Sequence, residues 1–429
     1  MRKREEFEGE SLILQGLNNN ILKNEIIMIK RITIRDFFSF SGITTIDFNS
    51  GVNLLLGING SGKTSLINAL RLLYEGVCGD GVEKLVQEQW GGFDQIVNVN
   101  GDRTAPYCQI TYEFAPQKVN EINPAAGFKS TIKYSITIRP YGTSYTLSEK
   151  IWTEHQKKKD EKFTYLDFSN GKGVISTRTD GVVGIQKYES NEISGQELVL
   201  KQINDPNRFL PTFTLRKAIE TMAVYNNFEV GENSRLRRPA DFSTSTRLKK
   251  NGENLTQMLN ELKLNHSFDF ERLEVAFRNV SPSYREIVIS NLYGQSYLSL
   301  REKNLKKTIG ALHISDGSLR YLLLECIFYN PNRGWLVAID EPERGLHPDM
   351  IKSVGDMLKL AAKDCQIIIA THSPHLLNQF ELEDVIIFEK DEENKTVVKK
   401  VSEDEFEEWE GDFLPGQMWL RGLIGGKRW

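Results

Sequence analysis

What this chain lacks narrows it first. Its four cysteines, Cys78, Cys108, Cys326 and Cys365, lie far apart with no C-x-x-C pair. That spacing excludes a disulfide framework and a thiolate zinc site, and the four read as reduced thiols. No apolar run approaches the ~20 residues that a membrane-crossing helix needs. No charged-then-apolar leader opens the chain, so the expectation is a cytoplasmic protein without membrane contact. A net charge of −4 gives no global pull toward nucleic acid, so any such contact must come from a local patch. Heptads are missing too: no a/d repeat is sustained for even three or four heptads, and no internal repeat is visible. What remains is a chain of 429 residues, 39% apolar and 26% charged, with ordinary globular composition. The length allows roughly two or three domains.

Against this plain background one stretch stands out, GVNLLLGINGSGKTSLINALRLLY at residues 51–74. Val52 to Leu56 is an apolar run that predicts a buried strand. Gly57-Ile58-Asn59-Gly60-Ser61-Gly62-Lys63-Thr64 fills the G-x-x-x-x-G-K-[ST] template at every fixed position. Leu66, Ile67, Leu70, Leu73 and Tyr74 then recur at helical spacing. Strand, glycine loop and helix in that order suit phosphate, because glycines let backbone N–H groups close around its oxygens and the helix start adds positive potential. Asn59, Gly60, Ser61, Gly62 and Ser65 belong to this cradle. Lys63 is expected to reach the outer phosphates and Thr64 to ligate Mg²⁺. The motif implies a nucleoside triphosphate site.

The remaining chain is organised around that loop. Residues 1–27 are polar and irregular, an extension of uncertain status. Residues 28–205 form a first lobe, with two strands around Ser41-Gly42, the glycine loop, and a β-rich stretch from Tyr107 to about Ile175. Residues 206–286 predict a helical lobe, with helices at Leu215–Tyr225 and Asn254–Arg278. Residues 287–401 return to α/β, and 402–429 are a tail, acidic at first.

Three motifs in the second α/β stretch could complete a hydrolytic site. Leu336 to Ile339 is an apolar strand that delivers Asp340 and Glu341 at its carboxyl end, where α/β sheets bind ligands. Asp340 suits the metal and Glu341 the attacking water, although two acids there could equally cap the next helix. Ile367 to Ala370 is another such strand, presenting Thr371-His372-Ser373-Pro374. His372 could sense a phosphate or orient water, and a satisfied buried histidine is the plainer alternative. Ser315-Asp316-Gly317-Ser318 precedes a helix, either as an anion site or as a simple N-cap.

In this order the motifs resemble ABC-type ATPases. Within that class the chain is similar to SMC/RecF-like ATPases of the AAA-labelled, coil-less group found in bacterial anti-phage defence. The resemblance rests on Ser315-Asp316-Gly317-Ser318-Leu319-Arg320, on Asp340-Glu341-Pro342-Glu343-Arg344-Gly345-Leu346-His347-Pro348 and on Thr371-His372-Ser373-Pro374. Asn251-Gly252-Glu253-Asn254-Leu255 and Trp419-Leu420-Arg421-Gly422-Leu423-Ile424-Gly425-Gly426 add to it. It implies an α/β ABC-type head with a mixed central sheet, an adjoining antiparallel β region, a short helical lobe and no long coiled coil. It also implies a head-to-tail dimer in which Ser315, Gly317 and Ser318 of one copy close over ATP held by the other. Glu341 becomes the general base, Asp340 and Thr64 the metal ligands, His372 the phosphate switch, and Arg344 or His347 lies near the seam. Phe38 stands where relatives carry an arginine, so either Arg35 or Arg31 substitutes or the adenine contact differs. Gln196 and Gln202 are the candidates for a glutamine near the site.

The resemblance further implies a switch acting on a separate effector, such as a nuclease. About 57 residues follow His372, and they hold no second acidic set of the kind a metal nuclease requires. The alternative is a repair or clamping ATPase that grips duplex DNA. Arg235, Arg237, Arg238, Arg247, Lys249 and Lys250 are the expected contacts, with a second cluster at Arg301, Lys303, Lys306 and Lys307. Arg237-Arg238-Pro239 could serve the dimer seam instead. A transporter's ATPase is disfavoured by the β-rich insertion.

Overall fold

The strand Val52–Gly57 is buried at every residue, as a strand covered on both faces must be. It belongs to a six-stranded sheet in the order Met222–Tyr225, Leu336–Asp340, Gln366–Thr371, Val52–Gly57, Val385–Lys390, Thr396–Lys400. All neighbours pair in parallel except the last, which returns as a hairpin. The computed structural model describes residues 26–100, 103–154, 162–179, 182–189, 191–226, 228–241, 245–401 and 413–425. Most of the expected extension at 1–27 and the acidic start of the tail lie outside these residues.

Alternation along the strands feeds two cores. Leu55, Leu336, Ala338, Ile368 and Ala370 face one, and Leu54, Leu56, Val337, Ile339, Ile367 and Ile369 face the other. Each large aliphatic side chain so buried stabilises the fold by about 1.5–3 kcal/mol relative to exposure. The first core packs the helix Lys63–Val77 and an eight-stranded antiparallel sheet, which runs from Val182–Tyr188 at one edge to Ile43–Asp47 at the other. The second takes the helices Leu255–Asn265, Ser267–Val280, Asp316–Phe328 and Pro348–Ala361. Buried Gln366 ties the two sheets. Its Oε1 accepts from the backbone N–H groups of Met28 and Ile29, and its Nε2 donates to the carbonyls of Ile29 and Asn49.

The mixed central sheet, the antiparallel β region and the helical pair are thus all present, and no coiled coil occurs among the described residues. Local readings need correction in three places. The stretch expected as one helix, Leu215–Tyr225, is the end of the helix Leu210–Glu220 followed by the strand Met222–Tyr225. That strand has four residues and no turn residue before it, so its periodicity cannot be told from helix. The β-rich stretch expected to end at about Ile175 runs on through the strands Lys172–Thr179 and Val182–Tyr188. A hairpin, Tyr284–Leu292 with Gln295–Glu302, precedes the Ser315 motif and pairs with Ala240–Asp241 and Ile309–Gly310. Among the described residues no helix is long and apolar enough to cross a membrane.

Candidate functional site

The parallel strands bring their carboxyl ends to one edge, where Asp340 stands opposite Ala370 and Thr371 opposite Leu56. At that edge lies a cleft of about 890 Å³, a size that suits a small-molecule ligand. Asn59, Gly60, Gly62, Lys63, Thr64, Ser65, Asp340, Glu341, Arg344 and His372 line it, so residues far apart in sequence are brought together. Gly57 and Ser61 stand behind the lining. A Cβ on Gly57 would lie 2.4 Å from the Phe388 carbonyl oxygen, and Gly62, at φ +112°, would meet Thr396 at 2.6 Å. The loop can therefore close this tightly only with glycine at those positions.

Lys63 is buried and donates to the carbonyls of Gly57 at 2.7 Å and Ile58 at 2.9 Å. Burial pulls its ammonium below the ordinary lysine value, opposed by Asp340, Glu341 and Glu343. The Thr64 hydroxyl donates to Asp340 Oδ2 at 2.8 Å, and burial raises the Asp340 carboxyl against that bond. A hydroxyl and a carboxylate already in contact are hard oxygen donors of the kind Mg²⁺ takes, so the pair fits the expected metal. The glycine-loop helix has no side-chain cap, which leaves its first N–H groups directed at the cleft.

Glu341 has φ +50°, a left-handed conformation that costs a non-glycine residue of order 1–3 kcal/mol. Its N–H donates to the Ala370 carbonyl at 2.8 Å, and its Oε1 lies 3.1 Å from His372 Nδ1. Two residues on, Glu343 is buried and its carboxyl is raised by that burial. Its Oε1 accepts from the Thr371 hydroxyl at 2.5 Å and the His372 N–H at 3.4 Å. Glu343 therefore locks the carboxylate loop to the histidine loop. Arg344 reaches toward Glu341 at 3.9 Å, whereas His347 is exposed and caps the next helix through the Asp349 N–H.

Several expectations fail here. Arg31 is paired with Asp47 at 2.6 Å, and Arg35 sits over the Tyr107 ring beside Asp36. Neither lines the cleft; Phe38 itself does, edge-on to Trp90, with Ser39 beside it. Gln196 is bonded to Ser144, and Gln202 to the backbone of Ser194 and Glu197. The glutamine of the cleft is Gln95, brought in by the bond from Phe38 N to the Ile96 carbonyl. Its signal is the Gly91-Gly92 turn close after the glycine-loop helix, much earlier than the two candidates.

The basic patch is partly taken up within the molecule. Arg237 is buried, Arg247 donates to the carbonyls of Asn332 and Glu220, and Lys250 pairs with Glu75 and Asp80. Lys249 pairs with Glu253, which leaves Arg235 and Arg238 as the exposed arginines of the segment. Arg301 is taken by Glu286, while Lys303, Lys306 and Lys307 are exposed on a loop. The serine motif lies outside the cleft lining. Ser315 caps the helix Asp316–Phe328 by accepting from the Ser318 N–H at 3.2 Å, and its hydroxyl reaches Ser318 Oγ at 2.8 Å. The four cysteines are free thiols, and burial pushes Cys108 and Cys365 up to about 12.

A family model described as "AAA domain, putative AbiEii toxin, Type IV TA system" matches residues 52–378, from the glycine-loop strand past the His372 loop. The chain belongs to this AAA-domain family. Two relatives of this family member extend over nearly all of it. The Retron Vc95 probable ATPase of Vibrio cholerae serotype O1 biovar El Tor is 21% identical, over 89% of this chain and 77% of that protein. The Septu protein PtuA of Bacillus thuringiensis is 21% identical, over 88% and 79% respectively. A 50-residue stretch is 40% identical to a Structural maintenance of chromosomes protein 3 homolog of Plasmodium falciparum (isolate 3D7), covering 12% of this chain and 4% of that one. Among solved structures, an SmcHead bound to the C-winged helix domain of ScpA aligns with a TM-score of 0.55 at 13% identity, over 88% of this chain and 99% of that one. The family is thus that of the AAA domain, and the fold is like that of an SMC head.

Proposed function

We propose that this protein binds and hydrolyses ATP with Mg²⁺, dimerises head-to-tail around the nucleotide, and uses the resulting closure to control a separate effector. One observation carries the reading. Lys63, Thr64, Asp340, Glu341 and His372 converge on a single cleft, while Ser315, Gly317 and Ser318 sit at a helix start outside it. Each copy then holds one complete half-site and offers the other half to its partner.

The residues divide the work. Glycine-loop N–H groups and Lys63 take the phosphates, with Lys63 exchanging its two carbonyls for phosphate oxygens. When bound, Mg²⁺ supplies charge neutralisation at the outer phosphates, held by Thr64 and Asp340. Glu341 accepts the proton of the attacking water, and His372, beside it, reports the presence of the last phosphate. Gln95 completes the water side. The cleft's aromatic wall, Phe38 with Trp90 behind it, faces the base. Supporting the effector reading are the family match and relatives that include a retron ATPase and a Septu protein. Anti-phage defence with a partner nuclease is the setting this favours. Direct gripping of DNA is the weaker reading, because Arg237 is buried and Arg247, Lys249, Lys250 and Arg301 are engaged by neighbouring residues, which leaves Arg235, Arg238, Lys303, Lys306 and Lys307 as the exposed cations it would use.

The test is a Glu341→Gln variant, which retains ATP without hydrolysing it. Light scattering should show a dimer at saturating ATP–Mg²⁺ and a monomer without nucleotide. A monomer in both conditions overturns the proposal.

A further inference from the structure

The geometry points to a positioning role for Arg237: it shapes and neutralises the Ser315–Ser318 helix start so that this surface can receive the phosphates held by a partner copy. This rests on the shared-site reading above. Arg237 lies on the short turn Arg235–Arg237, and its side chain is only 3% exposed. Its Nε donates to the carbonyls of Val230 at 2.8 Å and Gly231 at 3.2 Å. Nη1 takes the carbonyls of Ala311 at 2.9 Å, Leu312 at 3.3 Å and Ile314 at 2.6 Å, and Nη2 takes Asp316 Oδ1 at 2.5 Å. One guanidinium thus gathers the backbone leading into the helix and the helix's first acid, from both sides of Ser315.

Two physical consequences follow. Burying a guanidinium is costly unless all its donors are used, so a cation enclosed by six acceptors fixes those acceptors in place. The run Ala311–Ile314 wraps around it, and Ser315 enters the helix at a set angle. The second consequence is electrostatic. Asp316 sits in the first turn with its side chain 62% exposed. An unpaired carboxylate there would repel a phosphate arriving at the same helix start. Arg237 cancels that charge while leaving Ser315, Gly317 and Ser318 on the outside. A lysine keeps the charge but cannot fork to acceptors in so many directions.

Because the site is shared, a defect at Arg237 should appear in the partner's cleft and not in its own. Full-length Arg237→Lys should bind a fluorescent ATP analogue as tightly as wild type, yet lose about tenfold or more in hydrolysis, the equivalent of one or two hydrogen bonds. Arg237→Ala should lose more; if it does not fold, Arg237→Lys carries the test. The decisive step is mixing two poorly active proteins. In a 1:1 mixture of Arg237→Lys with Lys63→Ala, each mixed dimer has one site with an intact glycine loop facing an intact serine motif. Hydrolysis should rise at least about threefold above the sum of the two proteins assayed alone. A control mixture pairs Lys63→Ala with Ser318→Arg. Recovery in both mixtures supports the role. Recovery in the control alone overturns it and leaves the shared site standing, whereas recovery in neither overturns both.

Discussion

Two helix starts in this molecule use the same physics and stand at different degrees of readiness. The helix Lys63–Val77 begins with Gly62, has no side-chain cap and no acid in its first turn. Its N–H groups face a cleft already lined with a lysine, a hydroxyl and two carboxylates. The helix Asp316–Phe328 begins with Ser315, which has spent its oxygen on the Ser318 N–H, and carries Asp316 in its first turn. An uncapped start is open to an anion at once, while a capped one must exchange its serine for the incoming phosphate. Under the proposed shared site this difference sets an order of events: nucleotide would settle first on the glycine loop, and the serine motif would respond only when a second copy delivers the charge.

The largest break in that order should come from Lys63→Ala. It removes the one buried cation of the cleft, and hydrolysis should fall about 10³-fold or more, the scale of a single phosphate-stabilising cation. Because nucleotide comes first, closure should go with it. Steady-state turnover and ATP-dependent light scattering measure the two losses. A variant that still dimerises on ATP would place the first contact elsewhere.

Glu341→Gln should separate the two starts. Turnover should drop about 10²–10³-fold, as expected for a lost general base, while nucleotide affinity and the closed dimer persist. Quench-flow of a single turnover against equilibrium ATP binding tests this. Equal losses in both would make Glu341 a binding group.

Much of the cleft was legible because its signals are local. The glycine loop, the two apolar strands ending in Asp340-Glu341 and Thr371-His372, and the helix spacing of Leu66 to Leu73 each lie within a few residues of the chemistry. What escaped depends on partners distant in sequence. Arg237 reads as one cation among six in a basic run, and only contacts such as the one to Ala311, 74 residues away, reveal it as buried. Gln95 lies in a Gly-rich loop with no periodicity, and the strand Met222–Tyr225 is identified by pairing with Leu336–Ile339, not by its own pattern. Glu343 has no local mark that separates it from Asp340 and Glu341 in the same motif, yet it is the one bonded to Thr371.

That bond supplies a smaller perturbation. Glu343→Ala frees the Thr371–His372 loop without touching the lining of the cleft. Turnover should fall about tenfold through loss of alignment, with ATP affinity within about twofold, since the phosphate cradle is separate. A split of kcat from nucleotide binding is the readout. A matching loss of affinity would show that the histidine loop helps hold ATP and that the cleft is less preformed than the comparison holds.

The smallest effect lies on the serine-motif helix itself. Glu325, in its last turns, is fully buried and neither carboxyl oxygen has a hydrogen-bond partner. Burial raises its carboxyl well above the ordinary value, with Glu274 adding to the rise, and its other neighbours, Tyr284, Tyr321 and Cys326, offer no positive charge. The unfolded chain releases this proton near the usual glutamate range, while the folded chain keeps it. Stability is therefore greatest at low pH and declines as pH rises toward the folded value, by up to about 1.4 kcal/mol per pH unit from this group. Glu325→Leu replaces an unsatisfied polar group with an apolar one of similar size and should stabilise the protein by about 1 kcal/mol near neutral pH. Thermal melts of both proteins from pH 5 to pH 8 should diverge, with the advantage of Glu325→Leu growing as pH rises. Parallel curves would mean that Glu325 finds a partner in solution, and that this helix is as fully satisfied inside as it is at its capped start.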